Sequence, residues 1–414
     1  MKKTKQILLM GALTMLLVGQ LRADWTLTNG VGTRHGHTVY TVGGTLYAGT
    51  DSGAYRSTDN GASWTRINNG FQTTNRKIYD FAYGNGKLWC ATDGSGPYYS
   101  TNNGDVWIRE YSYSMYSTWS IEANDQYVYA GKGSNMHYST NLGANWVNTN
   151  GYSGYGGLIF NGNNVYGLHH NGGIFKSILG STSWTRITGN LSTDIKVYDL
   201  KLKVNTIYIA TEAGAWSSTN EGANWTNINV FNYSSVFSSI EVLNNHIIAS
   251  TRNNVNPLLN KVYITADNGS NWDNITGSLP ITNDNYIQEI AYNSNYIFVI
   301  LYNTGFVYRR PLSEIIIGIT PISSIVPDKH SLSQNYPNPF NPTTNINFDI
   351  QKAGHVKIVV YDINGKEIST LVNEELKKGS YKADIDGSDL SSGIYYYTMT
   401  SEDFVETKKM MLIK

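Results

Sequence analysis

Short apolar segments separated by turn-forming residues fill most of the chain. Leu88-Trp89-Cys90-Ala91-Thr92 is typical, because it is apolar over about one strand length and is followed directly by Asp93 and Gly94. Long segments with helical periodicity are absent from the sequence. Glycine (40 residues) and tyrosine (31 residues) are abundant, as suits strands joined by tight turns. The pattern predicts an all-β protein with many short strands.

An eight-residue motif, Ser/Thr-x-Asp/Asn-x-Gly-x-x-Trp, recurs along this region. The first copy is STDNGASW, with Ser57, Asp59, Gly61 and Trp64 at the defined positions. Later copies end at Trp107, Trp146, Trp225 and Trp272, the last one with Asp267 as its acid, and a degenerate copy ends at Trp184. The copies follow one another at intervals of about 40 residues, which is a period of structural repeats.

The motif has the residue types of a metal loop, a piece of active site or a hairpin turn. A calcium loop needs several convergent oxygen ligands, usually with carboxylates. Asn102, Asn141 and Asn220 replace the acid in three copies, and no partner acid recurs at a fixed spacing. An Asx turn tolerates that exchange, glycine accepts positive φ, and tryptophan buries a large ring. The motif is therefore interpreted as a turn, and no metal site is expected.

The number of repeats follows from a second aligned series of strand segments. These segments begin at Tyr47, Trp89, Tyr129, Tyr166, Tyr208, Ile248 and Phe298. There are seven such segments but six copies of the motif, because the last repeat has neither the motif nor its tryptophan. Trp25-Thr-Leu-Thr resembles the strand that follows each motif, Trp64-Thr-Arg-Ile in the first copy. We therefore expect the N-terminal strand to complete the seventh repeat, so that the repeats form a closed ring over residues 24–312.

These repeats resemble the Asp-box (BNR) repeat, and the resemblance covers roughly residues 24–312. Sialidases, other glycan hydrolases, sortilin-type receptors and a photosystem assembly factor carry this repeat. The resemblance implies a β-propeller, with each motif on the hairpin between the third and fourth strands of a blade. Together with the blade count, it predicts a seven-bladed propeller.

The chain changes character after residue 312. Residues 313–330 are apolar and contain prolines, and we interpret them as a linker. Residues 331–414 contain alternating strands, with a strong hairpin signal at Asn364-Gly365. About 80 residues of this kind predict a small Ig-like β-sandwich.

Residues 331–414 contain the segments NYPNPFNP, VYDINGKEI, SGIYYYTM and the basic end KKMMLIK. This set resembles the type A C-terminal sorting domain of the type IX secretion system. The resemblance implies that the tail engages the secretion machinery and directs folded cargo across the outer membrane of a Gram-negative bacterium of the Bacteroidota–Chlorobi kind. The protein is then released or attached to the cell surface.

The first 23 residues are predicted to be a secretory signal peptide, with a basic start and an apolar run too short to span a bilayer. No later segment is apolar enough for a membrane helix. Basic and acidic residues balance at 31 each, so nothing indicates a nucleic-acid partner. We expect an exported monomer without a cofactor.

The ligand side of a propeller should lie opposite the motif hairpins, where first strands begin and second strands end. The aligned positions at the start of the first strands are Thr38, Asp80, Ser120, Gly157, Asp199, Ser239 and Glu289. The positions that follow second strands include Asp51, Asp93, His170, Glu212 and Arg252. The loops between blades contain the aromatic residues Tyr116 and Trp119. Three acids around one mouth suit a cation, a basic peptide or acid–base chemistry. The loop aromatics either form a platform for sugars or peptides or pack the loops over the blades.

Three functions remain open. The first is non-catalytic binding of a glycan or protein. The second is a glycoside hydrolase that uses the mouth carboxylates, either sialidase-like or polysaccharide-cleaving. A usual glycosidase needs a carboxylate pair about 5–10 Å apart, and Asp80, Asp199 and Glu289 are the candidates. The third is a structural or adhesive surface protein without a small-molecule site.

Overall fold

The computed structural model describes residues 24–32, 34–72, 76–110, 117–132, 135–149, 157–169, 172–228, 236–243, 246–253, 256–312, 319–323, 327–376, 378–387 and 390–414. The described chain is built of strands, with one short 3₁₀ helix, Pro257–Leu259. The predicted signal peptide lies outside the described residues.

The first strand is β1 (Thr26–Leu27). Blade 1 contains β2 (Gly36–Val42), β3 (Thr45–Thr50), β4 (Gly53–Ser57) and β5 (Thr65–Arg66), and blade 2 contains β6 (Ile78–Gly84), β7 (Lys87–Thr92), β8 (Tyr98–Ser100) and β9 (Ile108–Arg109). Blade 3 contains β10 (Ser120–Ala123), β11 (Val128–Lys132), β12 (Asn135–Ser139) and β13 (Val147–Asn148), and blade 4 contains β14 (Leu158–Asn161), β15 (Asn164–Leu168), β16 (Ile174–Ile178) and β17 (Thr185–Arg186).

Blade 5 contains β18 (Val197–Lys203), β19 (Thr206–Thr211), β20 (Gly214–Ser218) and β21 (Thr226–Asn227). Blade 6 contains β22 (Val236–Leu243), β23 (His246–Arg252), β24 (Val262–Thr265) and β25 (Asp273–Asn274). Blade 7 contains β26 (Ile287–Tyr292), β27 (Tyr296–Leu301) and β28 (Val307–Pro311), and β1 is its fourth strand.

The seven blades form a closed ring. The first strand of each blade contacts the first strand of the next, and β26 of blade 7 contacts β2 of blade 1. β1 pairs antiparallel with β28, Thr26 opposite Arg309, so the N-terminal strand completes the last blade. The predicted seven-bladed propeller and its mode of closure are confirmed.

The C-terminal part is a sandwich of two four-stranded sheets. One sheet has the order β29 (Ile319–Ser323), β34 (Gly379–Asp386), β31 (Thr343–Ile350), β30 (Ser331–Leu332), and the other has the order β33 (Glu367–Leu376), β32 (Gly354–Tyr361), β35 (Gly393–Ser401), β36 (Phe404–Leu412). Large apolar side chains from both sheets, among them Phe348, Ile358 and Tyr397, fill the space between them. The predicted β-sandwich is confirmed.

One strand of the sandwich comes from the segment expected to be a linker. β29 lies within residues 313–330 and pairs antiparallel with β34, Ile319 opposite Ala383. The sandwich therefore takes its edge strand from upstream of residue 331. A proline is compatible with this place, because an edge strand does not need every N–H for pairing, and Pro321 lies in β29.

The five regular copies of the motif adopt one hairpin geometry. In the first, the Ser57 hydroxyl donates to Asp59 Oδ1 at 2.7 Å and accepts from the Gly61 N–H at 2.8 Å. Asp59 Oδ1 also accepts the N–H of Ser63 at 2.9 Å. The same bonds recur at Asn102, Asn141, Asn220 and Asp267. Because a single oxygen at this position accepts both bonds in every copy, asparagine can replace aspartate in the turn. In the two aspartate copies the second carboxylate oxygen also accepts a bond, from Ser63 and from Asn271 respectively.

Each hairpin also requires two consecutive residues with positive φ. The glycine of the motif has φ between 78° and 94° in these five copies, and the residue before it has φ near 55°. That preceding residue is asparagine at positions 60, 103 and 268, which suits the left-handed region. Leu142 and Glu221 hold the same conformation with side chains that disfavour it.

The motif tryptophans join neighbouring blades. Trp107 donates its indole N–H to the carbonyl of Ile67, which follows the last strand of the preceding blade, at 2.7 Å. Trp225 and Trp272 make the corresponding bonds to Ile187 and Ile228. Trp64 and Trp184 instead donate to threonine hydroxyls of the preceding blade, at Thr28 and Thr149. Trp25 donates to the carbonyl of Ile275 in blade 6 at 2.8 Å, so it replaces the tryptophan that blade 7 lacks.

Carboxylates inside the channel make a second set of links between blades. Asp80 Oδ2 in blade 2 accepts the N–H of Ile121 in blade 3 at 2.9 Å. Asp199 Oδ2 likewise accepts the N–H of Ile240, and Glu289 Oε2 accepts the N–H of Val39. Each acid therefore satisfies a backbone group on the first strand of the next blade, around the channel.

Lys201 is the cation at the centre of this ring of acids. Its Nζ lies 3.5 Å from Asp199, 3.5 Å from Glu289 and 3.9 Å from Glu241. Burial raises the pKa of Glu122 to about 8 and that of Glu241 to about 7, although the charge of Lys201 opposes both shifts. One lysine thus partly offsets several buried carboxyls, and some of these stay protonated near neutral pH.

We expect Leu142→Asn to stabilise the protein by about 0.5–1 kcal/mol, because asparagine adopts positive φ at lower cost than leucine. The reciprocal change at the same position of the second hairpin, Asn103→Leu, should destabilise it by a similar amount. Urea unfolding with an unchanged m-value measures both. A stability loss in Leu142→Asn would contradict the strain argument.

We expect Glu122→Gln to stabilise the protein increasingly as the pH rises. The pKa of Glu122 is raised to about 8 in the folded protein, whereas the pKa of an unfolded glutamate is about 4.3. The folded state therefore retains a proton that the unfolded state loses, and the wild type loses stability across this interval. The stabilisation by Glu122→Gln should be larger at pH 8.5 than at pH 5, by on the order of a few kcal/mol in the free energy of unfolding.

Thermal melts at both pH values measure this gain, and Glu221→Gln, which removes an exposed carboxyl, is the matched control. Equal pH dependence in the two variants would count against a buried, protonated Glu122.

Candidate functional site

A cavity of about 650 Å³ opens at the end of the channel where first strands begin and second strands end. This is the end opposite the motif hairpins. Among the described residues, the lining consists of His35, His37, Asp51, Lys77, Tyr79, Trp119, His169, Lys196, Val197, Tyr198, Ser238, Arg252, Tyr286, Gln288 and Tyr302. We call this the mouth cavity.

β-bulges build much of this lining. The first strands of blades 1, 2, 5, 6 and 7 each shift register by one residue near their start. The extra residues are His37, Tyr79, Tyr198, Ser238 and Gln288, and all five line the mouth cavity. A bulge adds an unpaired residue and re-aims its side chain. Each of these five blades therefore contributes its bulged residue to the lining of the mouth cavity.

Asp51 is the hydrogen-bonding centre of one wall. Its carboxylate contacts His35 Nδ1 at 3.1 Å and His37 Nε2 at 2.8 Å, and Lys77 Nζ lies 3.7 Å away. Burial acts to raise the pKa of Asp51, but the hydrogen bond and charge of His37, with Lys77 and His35, outweigh it and lower the pKa to about 2. Asp51 is therefore a charged group whose oxygens already serve two imidazoles.

A continuous stack of flat groups forms another wall. His35 stacks on Tyr302 at 4.7 Å between centroids, and Tyr302 stacks on Tyr286 at 5.0 Å. The Arg252 guanidinium lies 4.5 Å from the Tyr286 ring centroid and 5.1 Å from that of Tyr198. Stacked rings and cation–π contacts hold each member in place.

The lining is basic rather than acidic. Lys77, Lys196 and Arg252 contribute three positive charges, and Asp51 is the one carboxylate among the described lining residues. The expected acidic mouth is therefore wrong. Because of the bulges, the side chains next to the aligned acids face the cavity, and the acids themselves point to the neighbouring blade.

The sequence-derived candidates separate into four groups. Asp51, Trp119 and Arg252 line the mouth cavity. Asp80, Asp199 and Glu289 lie deeper in the channel and bond the next blade. Glu212 accepts the backbone N–H of Lys196, and Asp93 accepts the Ser117 hydroxyl, so both act beside the cavity rather than in its lining. His170 and Tyr116 lie outside the described residues.

Three of the mouth residues, Tyr79, Tyr198 and Tyr302, are not predicted by the sequence pattern. Tyr79 and Tyr198 directly precede the aligned acids, and Tyr302 follows a second strand. The available signal was an aromatic residue one position before Asp80 and Asp199, which strict alternation assigns to the other face. In the part of the chain that the structure describes, no three or more histidine, cysteine or carboxylate side chains are arranged so that they could hold a metal ion.

The C-terminal residues 334–414 match the family described as the secretion system C-terminal sorting domain. No curated protein matches the chain. No helix among the described residues is long and apolar enough to cross a membrane.

Solved structures of low sequence identity share the fold. YCF48 from Cyanidioschyzon merolae is 12% identical with a TM-score of 0.55, covering 70% of this chain and 99% of that one. YCF48 bound to D1 peptide is 13% identical with a TM-score of 0.55, covering 70% and 96%. The extracellular domain of the putative one component system BT4673 from B. thetaiotaomicron is 14% identical with a TM-score of 0.53, covering 94% and 59%.

The matched tail and the shared fold agree with the ring and sandwich described above. The sorting domain implies export by the type IX secretion system of Bacteroidota to the cell surface or the medium. The chain is therefore a β-propeller protein that carries a type IX secretion C-terminal sorting domain.

Proposed function

We propose that the propeller binds an extracellular glycan or protein in the mouth cavity, without catalysis. The observation that carries the proposal is the partly exposed stack of His35, Tyr302, Tyr286 and Arg252 in a cavity of about 650 Å³. Small-ligand sites are concave and contain aromatic side chains with a few placed polar groups. The solved structure of YCF48 bound to D1 peptide has a related fold and a peptide ligand, which is compatible with binding by this class of propeller.

The arrangement of the acids favours binding over hydrolysis. A glycosidase places two carboxyl groups on either side of the scissile bond. Asp80, Asp199 and Glu289 instead accept backbone N–H groups inside the channel. Asp51 bonds two imidazoles and has a pKa lowered to about 2, so it is poorly suited to act as a general acid.

A purely structural or adhesive role makes a different prediction about the cavity. If the role is structural or adhesive, substitutions in the mouth should leave binding unchanged. If the propeller binds its ligand in the mouth cavity, the same substitutions should weaken binding. We further propose that residues 1–23 act as the signal peptide for the first export step, that residues 24–312 form the binding domain, and that residues 331–414 engage the secretion machinery.

The binding proposal predicts that the secreted protein retains a ligand on a glycan and protein array through its mouth. Tyr302→Ala should weaken that binding about tenfold, or about 1.4 kcal/mol, because it removes the middle ring of the stack. Tyr83→Ala is the matched control, since Tyr83 is an exposed aromatic at the end of β6 away from the mouth. Equal affinity of the Tyr302 and Tyr83 variants would contradict the proposal.

Catalysis is tested on the same substrates by product release. Turnover by the wild type that is lost in Asp80→Asn or Glu289→Gln, with folding intact, would replace the binding proposal by the glycosidase alternative. Absence of turnover together with mouth-dependent binding is the expected result.

Deleting residues 331–414 should trap the propeller in the periplasm, because the secretion machinery at the outer membrane recognises the sorting domain as the export signal. Cell fractionation and immunoblotting measure the distribution. In the converse experiment, a periplasmic reporter fused to residues 319–414, which include the edge strand β29, should reach the surface or medium. Normal export of the truncated chain would refute the assignment of the tail as the export signal.

A further inference from the structure

We propose that the ligand of the mouth cavity is an acidic polysaccharide whose sugar carboxylates are bound by Arg252, Lys196 and Lys77. This inference rests on the proposed binding function and specifies its ligand class. Three features carry it: the charge of the cavity, the presentation of Arg252, and the shape of the adjoining surface.

The charge of the lining selects an anion. Lys77, Lys196 and Arg252 bring three positive charges, and Asp51 is the one described lining acid. Asp51 is already engaged by His35 and His37, and Lys77 Nζ lies 3.7 Å from it, so Lys196 and Arg252 are the described lining cations without an ion pair to Asp51. A ligand without charge would leave the cationic surplus of the cavity unbalanced, whereas carboxylates complement it.

Arg252 is positioned to receive a planar anion. Its guanidinium lies against the rings of Tyr198 and Tyr286, which fix its plane. Its Nε is buried and has no hydrogen-bond partner among the described residues. A guanidinium presents its N–H groups at its edge, in the geometry that a carboxylate accepts with two oxygens. The pre-ordered side chain therefore loses little conformational freedom on binding.

The surface next to Arg252 continues into a second cavity of about 520 Å³, which shares Arg252, Tyr286 and Tyr302 with the mouth cavity. Its other lining side chains are Asn283, Asp284 and Asn303. Asn283 Oδ1 is buried without a hydrogen-bond partner in the described chain. Amide and carboxylate groups bond sugar hydroxyls, and aromatic faces stack on pyranose rings.

Two adjoining cavities that share an aromatic wall fit a chain of similar units, each with a ring face, hydroxyls and a carboxylate. An acidic polysaccharide offers these groups at every residue. An acidic peptide offers the charges without the repeated ring faces, and the observations favour the polysaccharide.

The experiment uses the full-length secreted protein in isothermal titration calorimetry at fixed salt. The probes are polygalacturonate, alginate and hyaluronan, each compared with its methyl ester, together with a neutral glucan and poly-L-glutamate. We expect binding of at least one acidic polysaccharide and at least tenfold weaker binding of its ester, because esterification removes the charge and keeps the rings.

Variants test whether the assigned cations are responsible. Arg252→Met and Lys196→Met should each lower the affinity for the bound polysaccharide about tenfold. Lys176→Met removes the same charge from a lysine paired with Glu221, outside the mouth cavity, and should leave the affinity unchanged. Circular dichroism and thermal melts establish that each variant is folded.

The outcomes separate the inference from the function on which it rests. Equal binding of an ester, or binding of the neutral glucan alone, overturns the acidic ligand and leaves the mouth as a glycan site. Binding of poly-L-glutamate alone overturns the polysaccharide in favour of a protein ligand. Binding of none of these probes overturns both proposals, and so does binding that is unaffected by the Tyr302, Arg252 and Lys196 changes.

Discussion

The bond from a tryptophan indole N–H to the preceding blade is the interaction on which the ring depends. Trp107, Trp225 and Trp272 each reach a backbone carbonyl just after the last strand of the blade before them. Each indole also fills the space between two sheets, so one side chain supplies packing and register together. Trp25 makes the same bond from the N-terminal segment, and the ring closes without a special seam.

The channel acids and the mouth side chains divide the first strands between two tasks. Asp80, Asp199 and Glu289 point sideways and satisfy N–H groups of the next blade, which keeps the inner strands in register. One residue earlier, a bulge releases a side chain from the pairing pattern and aims it at the mouth. The bonds between blades and the lining of the mouth cavity thus use adjacent positions of the same strand.

The repeat made the fold predictable from the sequence. The hydroxyl, Asx and glycine positions of the motif are fixed by local hydrogen bonds and by φ, so Ser57, Asp59 and Gly61 indicate a hairpin without knowledge of the rest of the chain. The blade count followed because Trp25 stands where the seventh tryptophan is missing. The location of the site and three of its lining residues, Asp51, Trp119 and Arg252, were predictable from the sequence, but most of the lining was not. The alignment of first-strand positions assigned Asp80 and Asp199 to the mouth, and a bulge of one residue gives that place to Tyr79 and Tyr198. Bulges arise from pairing with the second strand, which a period-two pattern does not encode.

Closure by β1 also sets an order of events during biosynthesis. Thr28 bonds to Val307, 279 residues further along the chain, so the first strand to leave the ribosome has no partner until the last blade has been made. Until then β1 is an unpaired strand that is open to association with other chains. The sorting domain also follows blade 7 in the sequence, so a chain that stalls before blade 7 has neither a closed ring nor an export signal.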